Sequence, residues 1–129
     1  MTGIELVLAW CTNWPGVGPE EASHYFSPDA EWINVPAPER VTVGPEAIAT
    51  ELARLTKRFA QVSVQVHHAA ESADGVVLVE RSETFVFPGG TSFQLPVAAV
   101  FELRDGRITS WRDYFDMAQF TSQMPPART

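Results

Sequence analysis

Three charged residues occupy positions where a charge needs a reason. In Val79-Glu80-Arg81-Ser82-Glu83-Thr84-Phe85, the alternation of an extended chain puts Arg81 and Glu83 on the same side as Val79 and Phe85. In Trp111-Arg112-Asp113-Tyr114-Phe115 the same alternation sets Asp113 between two aromatic rings. Two nearby carboxylates resist ionising together, and one arginine stabilises one negative charge, so such a trio holds one shared proton. That makes one acid and one base. A base that activates water beside an acid that protonates a leaving oxygen is the pattern for adding water across a strained ether. A purely structural buried ion-pair network would use the same residues and perturb the same pKa values.

Hairpins must bring these residues together. Asp74-Gly75, Gly89-Gly90 and Asp105-Gly106 each separate two extended runs and read as two-residue turns. Turns of that length place His68 beside Arg81, Arg81 opposite Ala98, and Ala98 opposite Asp113, with Glu83 one step along opposite Pro96. Strands over 61–72, 76–87, 92–104 and 107–116 then form a four-stranded antiparallel meander. Its inner face carries His68, Phe85, Ala98, Val100, Trp111 and Phe115 as pocket wall, with His68 a wall residue rather than a catalyst and His67 pointing out. The other face of the third strand carries Phe93, Leu95, Val97, Ala99, Phe101 and Leu103. So apolar a row is expected to cover a second subunit, giving a homodimer. Register is the sensitive point, since a bulge at a glycine turn or at Pro96 sends a strand's side chains to the opposite face.

Upstream of the strands the pattern is helical. Thr2 with Glu5 reads as a capping box for a helix over 3–13. Pro15, Gly16 and Gly18 end it, and Pro19 opens a second helix to about Phe26. Ser27-Pro28-Asp29 reads as a turn before a strand over 30–35, which puts Trp32 and Asn34 on one face. An inward asparagine must find partners and can hold a water. Gly44-Pro45-Glu46 starts a third helix with Ile48, Leu52, Leu55 and Phe59 at helical spacing, and a short helix over 117–123 ends the pattern. Helices first and long hairpins after predict an α+β fold.

At 129 residues and 45% apolar content the chain is expected to form one domain over 1–129. The net charge of -7 argues against nucleic acid and anionic membranes, which need clustered Lys and Arg. A small neutral or apolar ligand fits better. The start of the chain lacks a basic leader pattern, and no apolar run reaches the roughly 20 residues of a membrane span, so a cytoplasmic protein is expected. The lone Cys11 extends the stripe Ile4, Val7, Leu8 and reads as buried. No Cys/His cluster has zinc spacing, and no phosphate-binding glycine loop or nucleophile elbow is present.

Trp32-Ile33-Asn34-Val35-Pro36, Glu80-Arg81-Ser82-Glu83, and the run from Val100 to Ile108 leading into Trp111-Arg112-Asp113-Tyr114-Phe115-Asp116 resemble the limonene-1,2-epoxide hydrolase family. The likeness extends from about residue 4 to 122. It implies a cone-shaped, nuclear-transport-factor-2-like fold in which a curved, mostly antiparallel sheet and N-terminal helices enclose a pocket. It also implies an often dimeric state, no metal or organic cofactor, and a small apolar epoxide as substrate. In that family an Asp, a Tyr and an Asn hold the attacking water, an Arg bridges, and a second Asp protonates the epoxide oxygen. By that resemblance Asp113 is the base, Asn34 the water-binding amide and Arg81 the bridge, while Glu83 stands at the acid's position and Trp32 at the tyrosine's. Glutamate reaches one methylene further than aspartate, and an indole offers one donor and no acceptor. The same cone hosts ketosteroid-isomerase-like and polyketide-cyclase-like enzymes and non-catalytic binding proteins, so fold alone does not choose among them.

Overall fold

The structure is a computed structural model that describes residues 1–125. Thr2 caps α1 (Gly3–Asn13) with the reciprocal bonds of a capping box: its backbone N–H donates to Glu5 Oε1 at 2.7 Å, and its Oγ1 accepts from the Glu5 N–H at 3.2 Å. Val7, Trp10 and Cys11 on one side of this helix are buried. After a 3-10 turn at Trp14–Gly16, α2 spans only Pro19–Ala22. The chain turns extended sooner than helical spacing predicts, because Phe26 buries its ring and enters β1 (Phe26–Asn34) beside Ile108. Pro28, which has no N–H to donate, sits in the irregular stretch between Phe26 and Glu31, where the register shifts. The expected turn at 27–29 is thus part of a bulged strand.

β2 (Val41–Val43) and α3 (Pro45–Thr56) follow, and then the hairpins β3 (Gln61–Glu71), β4 (Val77–Val86), β5 (Ser92–Arg104) and β6 (Arg107–Tyr114). α4 (Met117–Thr121) closes the described chain, its first N–H groups received by Asp116 Oδ1. The four-stranded meander is part of a larger sheet of six strands, in the order β2-β1-β6-β5-β4-β3, with only β1 and β6 parallel. The sheet is curved and unclosed; α1 packs against β3, β4 and β6, and α3 against β1 and β2. Among the described residues no helix is long and apolar enough to cross a membrane.

Register departs from the two-residue-turn expectation at two hairpins. Phe87 and Thr91 pair across a three-residue loop, Pro88–Gly90, with Gly90 at φ 95°, and Ser72 pairs with Val76 across Ala73–Gly75, with Gly75 at φ 84°. Both glycines occupy the left-handed region that such three-residue loops require. The odd loop turns β5 over. Arg81 therefore faces Val97 rather than Ala98, and Glu83 faces Leu95 rather than Pro96. Phe93, Leu95, Val97, Ala99 and Phe101 form part of the core, while Ala98 is exposed. The face expected to cover a second subunit is thus the interior, and the homodimer loses that basis.

Asp105 (φ 53°) and Gly106 (φ 76°) do form a two-residue turn. Beyond it a bulge between Glu102 and Leu103 leaves Thr109 extra and turns β6 over in its own right, so Asp113 faces Ala99 rather than Ala98. Two one-residue shifts cancel, and Arg81 and Asp113 share the inner face. A further bulge at His67 separates the Val66–Arg81 pair from the His68–Glu80 pair. His68, on the loop side of that bulge, lies outside because the three-residue Ala73–Gly75 loop pairs it with Glu80, whose Oε1 is 2.9 Å from its ring, and not with Arg81.

Candidate functional site

β4 delivers Arg81 and Glu83 as same-face neighbours, and β6 delivers Asp113 two strands away. Arg81 donates from Nε and Nη2 to Glu83 Oε2 at 3.0 and 2.9 Å, and Nη2 also donates to Asp113 Oδ2 at 3.0 Å. Trp111, two residues before Asp113 on the same face, donates its Nε1–H to Asp113 Oδ1 at 2.6 Å. Arg81 is 1% exposed, Asp113 5% and Glu83 6%. Charges this deeply buried persist only when paired. Of the four carboxyl oxygens, Glu83 Oε1 alone accepts no hydrogen bond from the described residues.

The electrostatics follow from burial. Desolvation pushes the Glu83 carboxyl above its ordinary range; Arg81 opposes the rise and the Asp113 charge adds to it. Desolvation raises Asp113 as well, against Arg81 and the Trp111 N–H. The Trp32 N–H opposes that rise from nearby although it forms no aligned hydrogen bond. Burial alone would depress the guanidinium of Arg81, but the two carboxylates outweigh it and hold the group charged. Cys11, buried behind the cluster, is pushed up to about 12, chiefly by desolvation, and remains a thiol.

Glu83 and Asp113 open on a cavity of about 140 Å³. Trp32, Asn34, Phe85, Trp111 and Phe115 line it, as expected from their strands. Asn34 is the cross-strand neighbour of Asp113 in the parallel β1–β6 pair, and the backbone N–H of Val35 donates to the Asp113 carbonyl at 2.8 Å. His68, Ala98 and Val100 do not line this cavity; they border a shallow depression on the outer face of the sheet, for the register reasons above. Sequence reasoning missed several wall residues. Trp14, Leu52 and Leu55 come from the helical layer, Leu95 and Val97 from the inverted strand, and Met117 and Phe120 from α4. The apolar stripe of the third helix was a signal for Leu52 and Leu55, and nothing local marked Trp14 or Phe120.

Helices over one side of an unclosed sheet, with an acid–arginine–acid cluster whose two carboxyls line an apolar cavity, define an α+β domain of the nuclear-transport-factor-2-like type. The chain belongs to the SnoaL-like domain family, which matches residues 7–111. It is 43% identical over 75 residues to the epoxide hydrolase EphG of Mycobacterium tuberculosis, a match covering 57% of this chain and 48% of that protein. The chain thus aligns with about half the length of that relative. The solved structure of an M. tuberculosis LEH-like epoxide hydrolase superposes with a TM-score of 0.70 and 28% identity, over 93% of this chain and 80% of that one. A Catenulispora acidiphila protein with a ketosteroid isomerase-like fold, solved with trimethylamine, superposes with a TM-score of 0.80 and 27% identity, over 95% and 93% of the two chains.

Proposed function

We propose that the protein is an epoxide hydrolase that adds water to a small apolar epoxide in one step, giving a vicinal diol. The observation that carries this reading is the single Arg81 guanidinium held between Glu83 and Asp113 at the base of an apolar cavity. Ring opening with inversion needs an acid and a base at once, whereas proton removal beside a carbonyl needs one base and an oxyanion donor. Asp113, whose oxygens accept from Trp111 and Arg81, is the carboxylate and takes a proton from water. Glu83, with Oε1 left without a donor, carries the shared proton. As the water oxygen bonds to one epoxide carbon, that carbon's bond to the ring oxygen breaks, and the oxygen takes the proton from Glu83. Exchange with solvent returns the proton from Asp113 to Glu83. Asn34 beside Asp113, and the Trp32 N–H, are the groups assigned to hold the water. The EphG similarity and the LEH-like neighbour support the same chemistry.

The cavity limits the substrate. A buried cavity of roughly 150 Å³ binds benzene, so about 140 Å³ suits a monocyclic or short-chain epoxide and not a steroid. Product analysis with terpene, styrene and cyclic meso-epoxides tests the assignment, with diol formation expected for at least the monocyclic members. A single turnover in oxygen-18 water should place the heavy oxygen in the diol and none in Asp113 or Glu83. A protein inert on every epoxide, yet able to exchange an acidic C–H proton of a cyclic ketone, would be an isomerase or cyclase of the same fold instead.

A further inference from the structure

Trp111 occupies a constrained place in the sheet. Phe101, Trp111 and Trp32 are register partners on β5, β6 and β1, and form one cross-strand aromatic row. The Trp32 and Phe101 rings stack on Trp111 at 4.6 and 5.8 Å between centroids, inclined by only 10° and 11°. Trp10 meets the same ring edge-on at 5.6 Å. An indole stacked against both neighbours and blocked at its edge has little rotational freedom, and its N–H is held on Asp113 two residues along the same face. From this geometry we infer that Trp111 is a positioning residue for the reaction. Its N–H fixes the orientation of the Asp113 carboxylate and biases the proton shared with Glu83 onto the glutamate, and the Phe101–Trp111–Trp32 row is the clamp that holds it.

This inference rests on the epoxide hydrolase reading for its kinetic consequence but not for its electrostatic one. The charged and titratable groups facing Asp113 are Arg81 and Glu83 on β4 and Cys11 on α1; Trp32 on β1 adds a neutral donor. Cys11 stays neutral, and Arg81 stays charged, so neither titrates in the working range. A donated N–H favours the carboxylate, and removing it raises the pKa of Asp113. For a hydrogen bond to a charged group the expected rise is about one to two pH units.

The experiment is Trp111→Phe, which keeps a ring for the stack and removes the donor. Two midpoints are read: the acid limb of kcat/KM on an epoxide, and the carboxyl-carbon titration of Asp113 in protein labelled with [γ-13C]aspartate, the signal being assigned by its loss in Asp113→Asn. Both should move up by about one to two pH units. Should Trp111→Phe fold poorly, benzothienylalanine at position 111 keeps the bicyclic shape without the N–H and should give the same shifts. A fall in activity with both midpoints unmoved would mean that Trp111 merely packs, and would overturn the inference. A raised Asp113 midpoint in a protein that opens no epoxide would uphold the inference and defeat the hydrolase reading, so the two failures are separable.

Discussion

At the scale of single residues, the candidate site is a small set of buried charges, and burial is the basis of the roles proposed for them. Asp113→Asn retains the shape and the acceptor for Trp111 but removes basicity, and Glu83→Gln removes the transferable proton. Each is expected to reduce kcat at least about 10²-fold on any epoxide the wild type opens, the usual scale of a general acid or base. Full activity in both variants would exclude direct acid–base hydrolysis. Arg81→Lys should be comparably severe, since a lysine cannot make the forked contact that Arg81 makes to both carboxylates. The same burial has a consequence for stability. Glu83 and Asp113 both have raised pKa values in the folded state, so between about pH 4, the unfolded carboxyl value, and their folded values the native protein binds more protons than the unfolded chain. Their contribution is present in full below that window and is lost as pH rises through it. Thermal melts of the wild type should therefore show Tm falling from pH 5 towards neutrality relative to Glu83→Gln, whose profile should be flatter. An equal pH dependence in the two proteins would contradict the raised carboxyl.

At the scale of elements, the alternation of β4 and β6 was legible because period-2 patterning is a local property. So were the α1 capping box, the helical stripe of α3 and the inward pair Trp32 and Asn34. Loop length was not legible. Asp74-Gly75 and Gly89-Gly90 fit a two-residue turn or the end of a three-residue one equally well, since both need a glycine at positive φ, and one residue of difference inverts a face. That is why Ala98, Val100 and His68 were expected in the pocket, and why the core face of β5 looked like a subunit interface. The bulges at His67 and Thr109 carried no marker in the sequence. The six-stranded sheet was also missed, because the parallel pairing of β1 with β6 joins segments some eighty residues apart. The register on β5 makes a direct prediction. Phe101→Asp places an unpaired charge in the core and should cost about 3 kcal/mol or more, while Ala98→Asp on the exposed face should stay within about 0.5 kcal/mol. Urea unfolding of the two variants checks this, and equal midpoints would mean that the face is assigned wrongly.

At the scale of the whole molecule, the cavity lies where two hydrophobic clusters meet. One is centred on Trp10, Trp32, Phe101 and Trp111 between α1, α3 and the sheet; the other is a group of phenylalanines, Phe59, Phe85 and Phe93, that Phe120 joins from α4. Phe120 touches Phe85 and Phe93 edge-on, at 5.7 and 5.9 Å, and is half-buried. α4 has five residues and no buried side chain, so its position rests on the Asp116 cap and this aromatic contact. It is the wall most easily altered without disturbing the charges. Phe120→Ala should enlarge the cavity and leave the Arg81, Glu83 and Asp113 contacts as they are. Being half-buried, the ring should cost about 2 kcal/mol when removed, less than the 3–5 kcal/mol typical of a core phenylalanine. On epoxides, the ratio of kcat/KM for a bicyclic substrate to that for cyclohexene oxide should rise about tenfold, with the pH midpoints unchanged. An unchanged ratio in a folded variant would mean that Phe120 does not bound the space the substrate occupies.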